Sequence, residues 1–361
     1  MCGLLTFVSA RGEAAPHRDA IAGALEEIHH RGPDETGVTV AGDDVVFGFK
    51  RLSIIDVDKS HQPLEYADGR YLLTFNGEIY NYLELRAQLI AEGATFATDG
   101  DSEVILAAYH HWGPESVTRL RGMFAYLIWD GQERRLFGAR DPFGIKPLHV
   151  LETGDGVYFA SEKKALMPFL DATSDGLDTE ALQHYLTLQY VPEPATLHER
   201  IRKVESGMSV TWTPGGQLTY SRYFTPGFAP APADDPDKLY RRIREALEES
   251  VRLHLRSDVP VGAFLSSGID STGIVALAKK HKPDILTFTV GYDVEGYSEI
   301  DIAQQSARWL DVTTIPTMVD AQQMMDALPR IVWHLDDPVA DPALVPLYFV
   351  AEEAAKHVTV V

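Results

Sequence analysis

The chain has 361 residues, of which 45% are hydrophobic and 24% are charged, as is typical of globular proteins. Its net charge of −21 argues against nucleic acid or an anionic membrane as its main partner. The single cysteine, Cys2, excludes a disulfide framework within these residues and favours a reducing, cytoplasmic location. We expect neither a signal peptide nor a transmembrane helix, because no basic n-region and no long apolar run are visible.

Cys2 directly follows the initiator methionine, which is usually removed when a small residue comes next. The mature chain is then expected to begin with Cys2, which carries a thiol and a free α-amine on one residue. The amine, whose ordinary pKa is about 8, can act as the base for the thiol, as in N-terminal nucleophile enzymes. The position alone is equally consistent with a small buried residue on a first apolar strand.

The first half of the chain predicts short strands separated by a few helices. Stretches rich in Val, Phe, Leu and Tyr predict strands at residues 2–8, 45–49, 70–75, 122–129 and 135–139. Apolar periodicity predicts helices at 21–29, 82–91 and 102–112. A segment rich in Pro, Ala and Asp at 223–237 is typical of a linker.

The second half alternates strands and helices after a first helix at 238–255. Strands are predicted at 260–266, 285–291 and 313–319, with helices at 271–281, 300–310 and 321–335. This alternation predicts a doubly wound parallel sheet, with 357–361 as a further buried strand. We therefore expect domains at 1–213 and 238–361, joined by a linker at 214–237, and a sequence that continues beyond residue 361.

Four short motifs accompany Cys2 in the first half. They are HRGPD at 30–34, RLSIID at 51–56, NGEIYN at 76–81 and GDSE at 100–103. Taken singly, each is better explained as a turn, a surface arginine or a helix cap than as part of a functional site. In order and spacing they resemble the glutaminase domain of class II, N-terminal-nucleophile glutamine amidotransferases, over about residues 2–212. The resemblance implies an α+β sandwich of two antiparallel sheets between helix layers.

The resemblance also implies catalytic roles. Cys2 would attack the amide of glutamine, with its own amine as base. The Asn76 side chain and the Gly77 main-chain N–H would donate hydrogen bonds to the developing oxyanion. Glycine at position 77 would allow the substrate to approach the main chain closely.

The remaining implied residues would hold the two charged ends of free glutamine. Arg51 would bind the α-carboxylate through its fork of donors. Glu78 and Asp101 would accept hydrogen bonds from the α-ammonium, together with the backbone carbonyl after Leu52. These roles come from the resemblance, residue by residue, and not from composition.

The sequence SSGIDS at 266–271 ends a predicted strand and begins a predicted helix. Main-chain N–H groups at such a helix N-terminus suit a phosphate, and Asp270 could contact it through Mg²⁺. A Ser/Asp helix cap is the alternative. The segment resembles the SGGxDS pyrophosphate loop of ATP pyrophosphatases, with Ser267 in place of the first glycine. The resemblance implies ATP- and pyrophosphate-binding residues at Leu265, Ser266, Ser267, Gly268, Asp270, Ser271 and Val290.

The order of the two domains is similar to that of glutamine-hydrolysing asparagine synthetases. The resemblance implies a carbon–nitrogen ligase that takes ammonia from glutamine and uses ATP and Mg²⁺ to activate aspartate as an adenylate. AMP and pyrophosphate would be released. The expected partners are these small molecules, and a homodimer is one assembly that the sequence leaves open. HLDDP at 334–338 and ADP at 340–342 resemble the segment that lines the acceptor cleft, although proline-set turns explain them equally well.

Three other functions remain open at this point. An amidotransferase of the same chemistry could act on another carboxylate, such as a cell-wall peptide or a natural-product acid. A β-lactam synthetase also adenylates a carboxylate, but such proteins typically lack the N-terminal cysteine. A non-catalytic sensor of glutamine or nucleotide is disfavoured by the intact motifs.

Overall fold

A computed structural model describes residues 1–170, 176–230, 235–292 and 298–361 of the chain. In the first part of the chain the strands are Gly3–Ser9 (β1), Glu35–Ala41 (β2), Val45–Arg51 (β3), Leu64–Tyr66 (β4), Tyr71–Ile79 (β5), Gly122–Asp130 (β6), Arg135–Arg140 (β7), His149–Glu152 (β8), Gly156–Ala160 (β9), Ile201–Lys203 (β10), Met208–Trp212 (β11) and Thr219–Arg222 (β12). The helices are Arg18–Ala24 (α1), Tyr82–Ala91 (α2), Asp101–Trp112 (α3) and Thr179–Leu188 (α4).

These strands form two antiparallel sheets, as predicted. One sheet has the order β10-β8-β9-β1-β3-β2, and the other has the order β12-β11-β7-β6-β5-β4. Strand β1 is central in the first sheet, where Leu5 lies opposite Gly48 of β3 and Ala160 of β9. In the second sheet, Gly77 of β5 lies opposite Phe124 of β6. The end of β5 that contains Gly77 pairs only with β6, because β4 pairs with β5 at residues 71–73 alone.

The two sheets pack face to face around an apolar layer to which both contribute. Val8 and Phe47 come from the first sheet, and Leu72 and Leu127 come from the second. Strand residues alternate between faces, so Leu73 instead joins the cluster beneath α2 and α3. By the same alternation, the even-numbered residues of β5 beyond Leu72 face the layer between the sheets.

Two features of this region differ from the predicted elements. The helix predicted at 21–29 is α1 followed by a 3₁₀ segment, Leu25–Arg31, because Ile28 has a non-helical φ of −116°. The stretch expected as linker after residue 213 contains β12, which pairs with β11. Pairing of exposed polar residues with an edge strand leaves no apolar pattern in the sequence.

Contacts group residues 1–227 and Asp336–Val339 into one compact unit, and Phe228–Leu335 and Ala340–Val361 into a second. The second unit contains helices Pro236–His254 (α5), Ile269–His281 (α6), Ile300–Leu310 (α7), Ala321–Leu335 (α8) and Leu344–Ala354 (α9). Its strands are Gly262–Phe264 (β13), Leu286–Tyr292 (β14) and Thr313–Val319 (β15).

The predicted parallel sheet is present in the second unit, with the order β13-β14-β15. The strand predicted at 357–361 is instead a single parallel bridge between Val360 and Val261. Its hydrogen bonds join Gly262 N–H to the Val360 carbonyl and the Val360 N–H to the Pro260 carbonyl. The apolar run therefore lies beside β13 as a parallel neighbour, but it is too short to be a strand.

Candidate active site

Cys2 immediately precedes β1, and Leu52 immediately follows β3. The thiol of Cys2 lies against the main chain of Leu52. The Leu52 N–H donates to Cys2 Sγ at 3.4 Å, and Sγ lies 3.5 Å from the Leu52 carbonyl oxygen. Burial raises the pKa of the Cys2 thiol, while the Leu52 contact and the nearby charges of Arg31 and Arg51 oppose that rise. The thiol therefore needs a base in order to react as a thiolate.

The structure describes the amine of Met1, which lies one residue before the Cys2 amine that is expected to act as the base. Burial lowers the pKa of the Met1 amine to about 6, against a smaller opposing effect of Cys2. An amine with this pKa is mostly neutral at pH 7 and can accept a proton.

Asn76 is a buried amide without a hydrogen-bond partner in the described residues. It lies on β5, is 1% exposed, and faces the layer between the sheets. Neither Oδ1 nor Nδ2 is paired. A buried polar group left unpaired costs about 1–3 kcal/mol, so such groups in folded proteins call for an explanation. A donor held ready for an incoming oxygen atom is one explanation.

The main-chain N–H of Gly77 points toward an open edge of β5. The Phe75 N–H donates to the Gln62 side chain at 2.6 Å, and the Ile79 N–H donates to Asp101 Oδ2 at 2.9 Å. N–H groups of a strand alternate in direction, so that of Gly77 points to this same edge, away from β6. The sequence predicted these two donors in a turn after a strand at 70–75, whereas both lie within β5. Their role at an oxyanion stays a prediction.

Glycine at position 77 also has a structural role that was not predicted from the sequence. A Cβ at this position would lie 2.1 Å from the Met123 carbonyl oxygen and 2.7 Å from the Phe124 Cα. The glycine therefore permits close packing of β6 against β5, in addition to any approach of a substrate.

Arg51 ends β3 and is 4% exposed. Its Nη1 donates to the Val57 carbonyl at 2.8 Å, its Nη2 donates to the Asp56 carbonyl at 2.9 Å, and Glu35 lies 3.5 Å away. The loop after β3 thus fixes the plane of the guanidinium. An oriented fork of N–H donors is suited to a carboxylate.

Glu78 and Asp101 form a pair of buried carboxyls beside these donors. Asp101 is the first residue of α3, and its bond to the Ile79 N–H joins that helix to β5. Burial, followed by the charge of Asp101, raises the pKa of Glu78 to about 7. Burial raises the pKa of Asp101 to about 6, although the Ile79 N–H opposes the rise. Burial outweighs the opposing charges of Lys146 on Glu78 and of Arg51 on Asp101. A further cation, such as an ammonium group, would favour the ionised form of both carboxyls.

The sequence reasoning missed Lys146 near this site. The side chain is 5% exposed, and burial lowers its pKa against the opposing charges of Glu78 and Cys2. Asp141 accepts from the N–H groups of Phe143, Ile145 and Lys146 and so shapes the loop that carries the lysine. The only sequence signal is the turn DPFG at 141–144, which precedes Lys146 closely.

The second unit places the predicted phosphate loop between β13 and α6. Ser266 and Ser271 share a hydroxyl contact of 2.9 Å, and the Gly268 N–H donates to Ser266 Oγ at 3.1 Å. The Ser267 N–H donates to the Glu299 carboxylate at 3.2 Å. The loop therefore already presents a main-chain donor to an anionic oxygen, and Ser267 does not prevent this.

The remaining residues predicted for the nucleotide differ in exposure. The Leu265 side chain packs into an apolar cluster with Val275 and Ala303, which leaves only its main chain for a ligand. Val290 lies on β14, two residues beyond the partner of Phe264, and so flanks the loop. Asp270 is exposed in the first turn of α6.

No group of three or more His, Cys, Asp or Glu side chains within the described ranges is arranged to hold a metal ion. Asp293 and Glu295, which follow β14 and are further candidates for contact with a nucleotide or its metal, lie outside those ranges.

The acidic pair of the motif at 334–338 belongs to the first unit. Asp336 accepts from the Lys164 N–H at 3.0 Å. Asp337 pairs with Lys163, and lies 3.3 Å from Lys203. These aspartates are thus engaged in structural ion pairs, in addition to any role as an acceptor site.

Comparisons with known proteins match both halves of the chain. Residues 1–224 match the glutamine amidotransferase domain family, and residues 242–361 match the asparagine synthase family. Within the described ranges, no helix combines the length and apolar character needed to cross a bilayer.

Three relatives illustrate the match. A Mycobacterium tuberculosis protein, provisionally named a glutamine-hydrolysing asparagine synthetase, is 54% identical over 100% of this chain and 58% of its own length. The glutamine-hydrolysing asparagine synthetase 1 of Bacillus subtilis is 49% identical over 100% of this chain and 57% of its own length. Asparagine synthetase B of Escherichia coli is 30% identical over 98% of this chain and 61% of its own length. The chain thus spans less than two thirds of the length of each.

Proposed function

The chain belongs to the family of glutamine-hydrolysing asparagine synthetases, and from this premise we propose that it takes part in ATP-dependent synthesis of asparagine from aspartate. Its first unit hydrolyses glutamine to supply ammonia. Its second unit holds ATP while the acceptor carboxylate is activated.

The observation that supports the glutaminase half is the combination of a half-buried thiol with a buried amide that has no partner in the described residues. Cys2 has its thiol against Leu52, and Asn76 has both amide atoms without a partner in the described chain. A nucleophile and a preformed oxyanion donor are the two groups that amide hydrolysis requires.

The glutaminase reaction then follows from the surrounding groups. After removal of Met1, the Cys2 amine takes the proton of the thiol, and Sγ attacks the amide carbon of glutamine. Asn76 Nδ2 and the Gly77 N–H donate to the oxyanion, ammonia leaves, and a glutamyl thioester remains for water to hydrolyse.

Substrate recognition uses the opposite charges of the amino acid. Arg51 binds the α-carboxylate, because the loop carbonyls hold its guanidinium in one plane. Glu78 and Asp101 bind the α-ammonium, with the carbonyl after Leu52. The ammonium relieves the unfavourable burial of the two carboxylates.

For the second half, the loop at 266–271 binds pyrophosphate oxygens through its main-chain N–H groups and the hydroxyls of Ser266 and Ser271. Incoming phosphates displace Glu299 from the Ser267 N–H. Asp270 would hold Mg²⁺, which would supply positive charge to the phosphates. The side-chain carboxylate of aspartate attacks the α-phosphorus of bound ATP, which forms an aspartyl-adenylate and releases pyrophosphate. Ammonia then attacks the acyl carbon of the adenylate, which gives asparagine and releases AMP.

Two substitutions test the glutaminase half in the complete protein. Cys2→Ala should abolish glutamine hydrolysis while ammonia-dependent synthesis continues. Asn76→Ala should lower kcat about 100- to 1,000-fold with little change in KM, because an oxyanion donor is lost. Thr74→Val is the matched control, since Thr74 is buried on the same face of β5 and its hydroxyl has no partner among the residues that the structure describes. Normal hydrolysis by Cys2→Ala, or an Asn76→Ala effect on KM alone, would contradict the assignment.

Product analysis tests the acceptor. Incubation of the complete protein with aspartate, glutamine and ATP should yield asparagine, AMP and pyrophosphate. ATP consumption that depends on another carboxylate, without asparagine, would assign the same chemistry to a different acceptor.

A further inference from the structure

Arg31 is held against the main chain of the nucleophilic residue. It ends the 3₁₀ segment, is 7% exposed, and donates from Nε to the Cys2 carbonyl oxygen at 2.9 Å. Its side chain passes over Gly3, where an added Cβ would lie 3.4 Å from Arg31 Cβ. The absence of a side chain at residue 3 therefore gives the guanidinium access to the start of β1.

Glu162 lies shortly after β9, the strand that pairs with β1 in the same sheet. Leu5 lies opposite Ala160, and Ser161 makes two hydrogen bonds with Leu4, each of 3.0 Å. Glu162 comes next in this antiparallel register, so it lies opposite the first residues of β1. Its Oε1 accepts from Arg31 Nη1 at 2.7 Å.

Three cationic or polar side chains fix the Glu162 carboxylate. Besides Arg31, His30 Nε2 lies 3.0 Å from Oε1 and Lys164 Nζ donates to Oε2 at 2.5 Å. Burial acts to raise the pKa of Glu162, but these contacts outweigh burial and hold the pKa well below its usual range. The carboxylate therefore stays ionised throughout the working range of an enzyme.

Few hydrogen bonds fix the orientation of the Arg31 guanidinium. Its Nη2 is buried and has no hydrogen-bond partner in the described chain. The guanidinium is thus oriented by Cys2 at one end and by Glu162 at the other. Loss of the carboxylate would leave a buried cation with only one oriented contact.

We propose that Glu162 is a positioning residue for glutamine hydrolysis, which orients Arg31 and, through Arg31, the main chain of Cys2. This inference rests on the proposed glutaminase function. The geometry that brings Sγ toward the amide carbon is then set partly by a residue that does not touch the substrate. A small displacement of a nucleophile costs a large factor in rate.

Steady-state kinetics of the complete protein provide the first test. Glu162→Gln should lower kcat for glutamine at least about tenfold, with KM changed less than about twofold, because Arg51, Glu78 and Asp101 still bind the substrate. Glu152→Gln is the matched control, since this exposed glutamate ends the neighbouring strand β8. It should behave as the unsubstituted protein.

The second test uses alkylation of Cys2 by iodoacetamide, followed by mass spectrometry of the N-terminal peptide. The Arg31 charge favours the thiolate, so Glu162→Gln should shift the pH midpoint of alkylation as Arg31 loosens. Arg31→Lys, which keeps the charge but loses the fork, should reduce kcat comparably and remains informative if Glu162→Gln fails to fold.

A double substitution decides whether Glu162 acts through Arg31. In the Arg31→Lys background, Glu162→Gln should reduce kcat by less than about threefold further. Fully multiplicative effects, or an unchanged kcat and alkylation midpoint for Glu162→Gln, would overturn the proposal. Cys2→Ala separates the two hypotheses: if it retains hydrolysis, the glutaminase function itself fails. If it is inactive while Glu162→Gln is normal, only the positioning role fails.

Discussion

At the residue scale, the candidate site is a set of buried groups whose electrostatic balance is incomplete. Glu78 and Asp101 have pKa values raised to about 7 and about 6, and the Asn76 amide is unpaired in the described chain. Glutamine carries the complementary groups, namely an ammonium and a carbonyl oxygen. Such groups destabilise the free protein and are complementary in charge and hydrogen bonding to a bound substrate. Catalytic sites characteristically contain groups of this kind.

The titration of Glu78 predicts a pH dependence for glutamine use. Ionised Glu78 binds the ammonium, and protonation removes that charge, so kcat/KM should fall as the pH drops through about 7. The profile of kcat should move to lower pH, because bound glutamine stabilises the carboxylate. In Glu78→Gln the step near pH 7 should disappear and kcat/KM should be low throughout.

Glu65→Gln provides the control for this profile. Glu65 is an exposed carboxyl on β4 in the same sheet, so its removal should leave the step near pH 7 intact. A kcat/KM that stays flat between pH 8 and pH 6 would exclude Glu78 as a ligand of the ammonium.

At the scale of elements, strand β5 joins stability and function. Its even-numbered residues contribute to the layer between the sheets, while one edge carries the Gly77 N–H toward the candidate oxyanion site. On the opposite edge β6 packs closely, with Met123 where a Cβ of residue 77 would be. A larger residue in place of Gly77 is therefore expected to disturb the packing of β5 against β6, in addition to any effect on the candidate oxyanion site.

Gly77→Ala should destabilise the first unit by at least about 1–3 kcal/mol, since either β6 or β5 must move. Urea unfolding followed by tryptophan fluorescence would measure the change. Gly23→Ala is the control, because nothing lies within 4 Å of a Cβ at this helical position. It should be neutral or stabilising by about 0.4–1 kcal/mol. Equal stability of the two variants would disprove the packing argument.

The elements and residues that could be predicted from sequence share a local signal. Strand β5, helix α3 and the loop before α6 each combine an apolar pattern with a turn or cap residue. The contact between Arg31 and Glu162 joins residues 131 positions apart, and no local pattern marks it. The short strands β8 and β10 were missed for a related reason, because tertiary packing decides the conformation of such short segments. The longer elements β2, α4 and α9 were also not predicted.

At the scale of the whole molecule, two units each have their own apolar cores and their own candidate site. Leu4, Phe47 and Leu127 belong to a core of the first unit, and Leu265 and Val275 belong to a core of the second. Separate cores allow a substitution in one site to leave the fold around the other intact.

Asp270→Asn in the complete protein should therefore abolish asparagine synthesis and keep glutamine hydrolysis within about twofold. The reason is the loss of a carboxylate ligand for the Mg²⁺ that accompanies ATP. Parallel assays of asparagine and of glutamate would measure both activities. Asp284→Asn, at an exposed position between α6 and β14, should keep both. Synthesis that survives in Asp270→Asn would remove Asp270 from the proposed ATP site.

The assignment of Asp336–Val339 to the first unit has a consequence for biosynthesis. Ribosomes add about 5–20 residues per second, so Asp337 is synthesised roughly 5–20 seconds after Gly227. During that interval Lys163 and Lys203 of the nascent first unit lack the carboxylate that they pair with in the finished protein. The first unit is therefore completed only after Asp336–Val339 have been synthesised, and these four residues are translated together with the second unit.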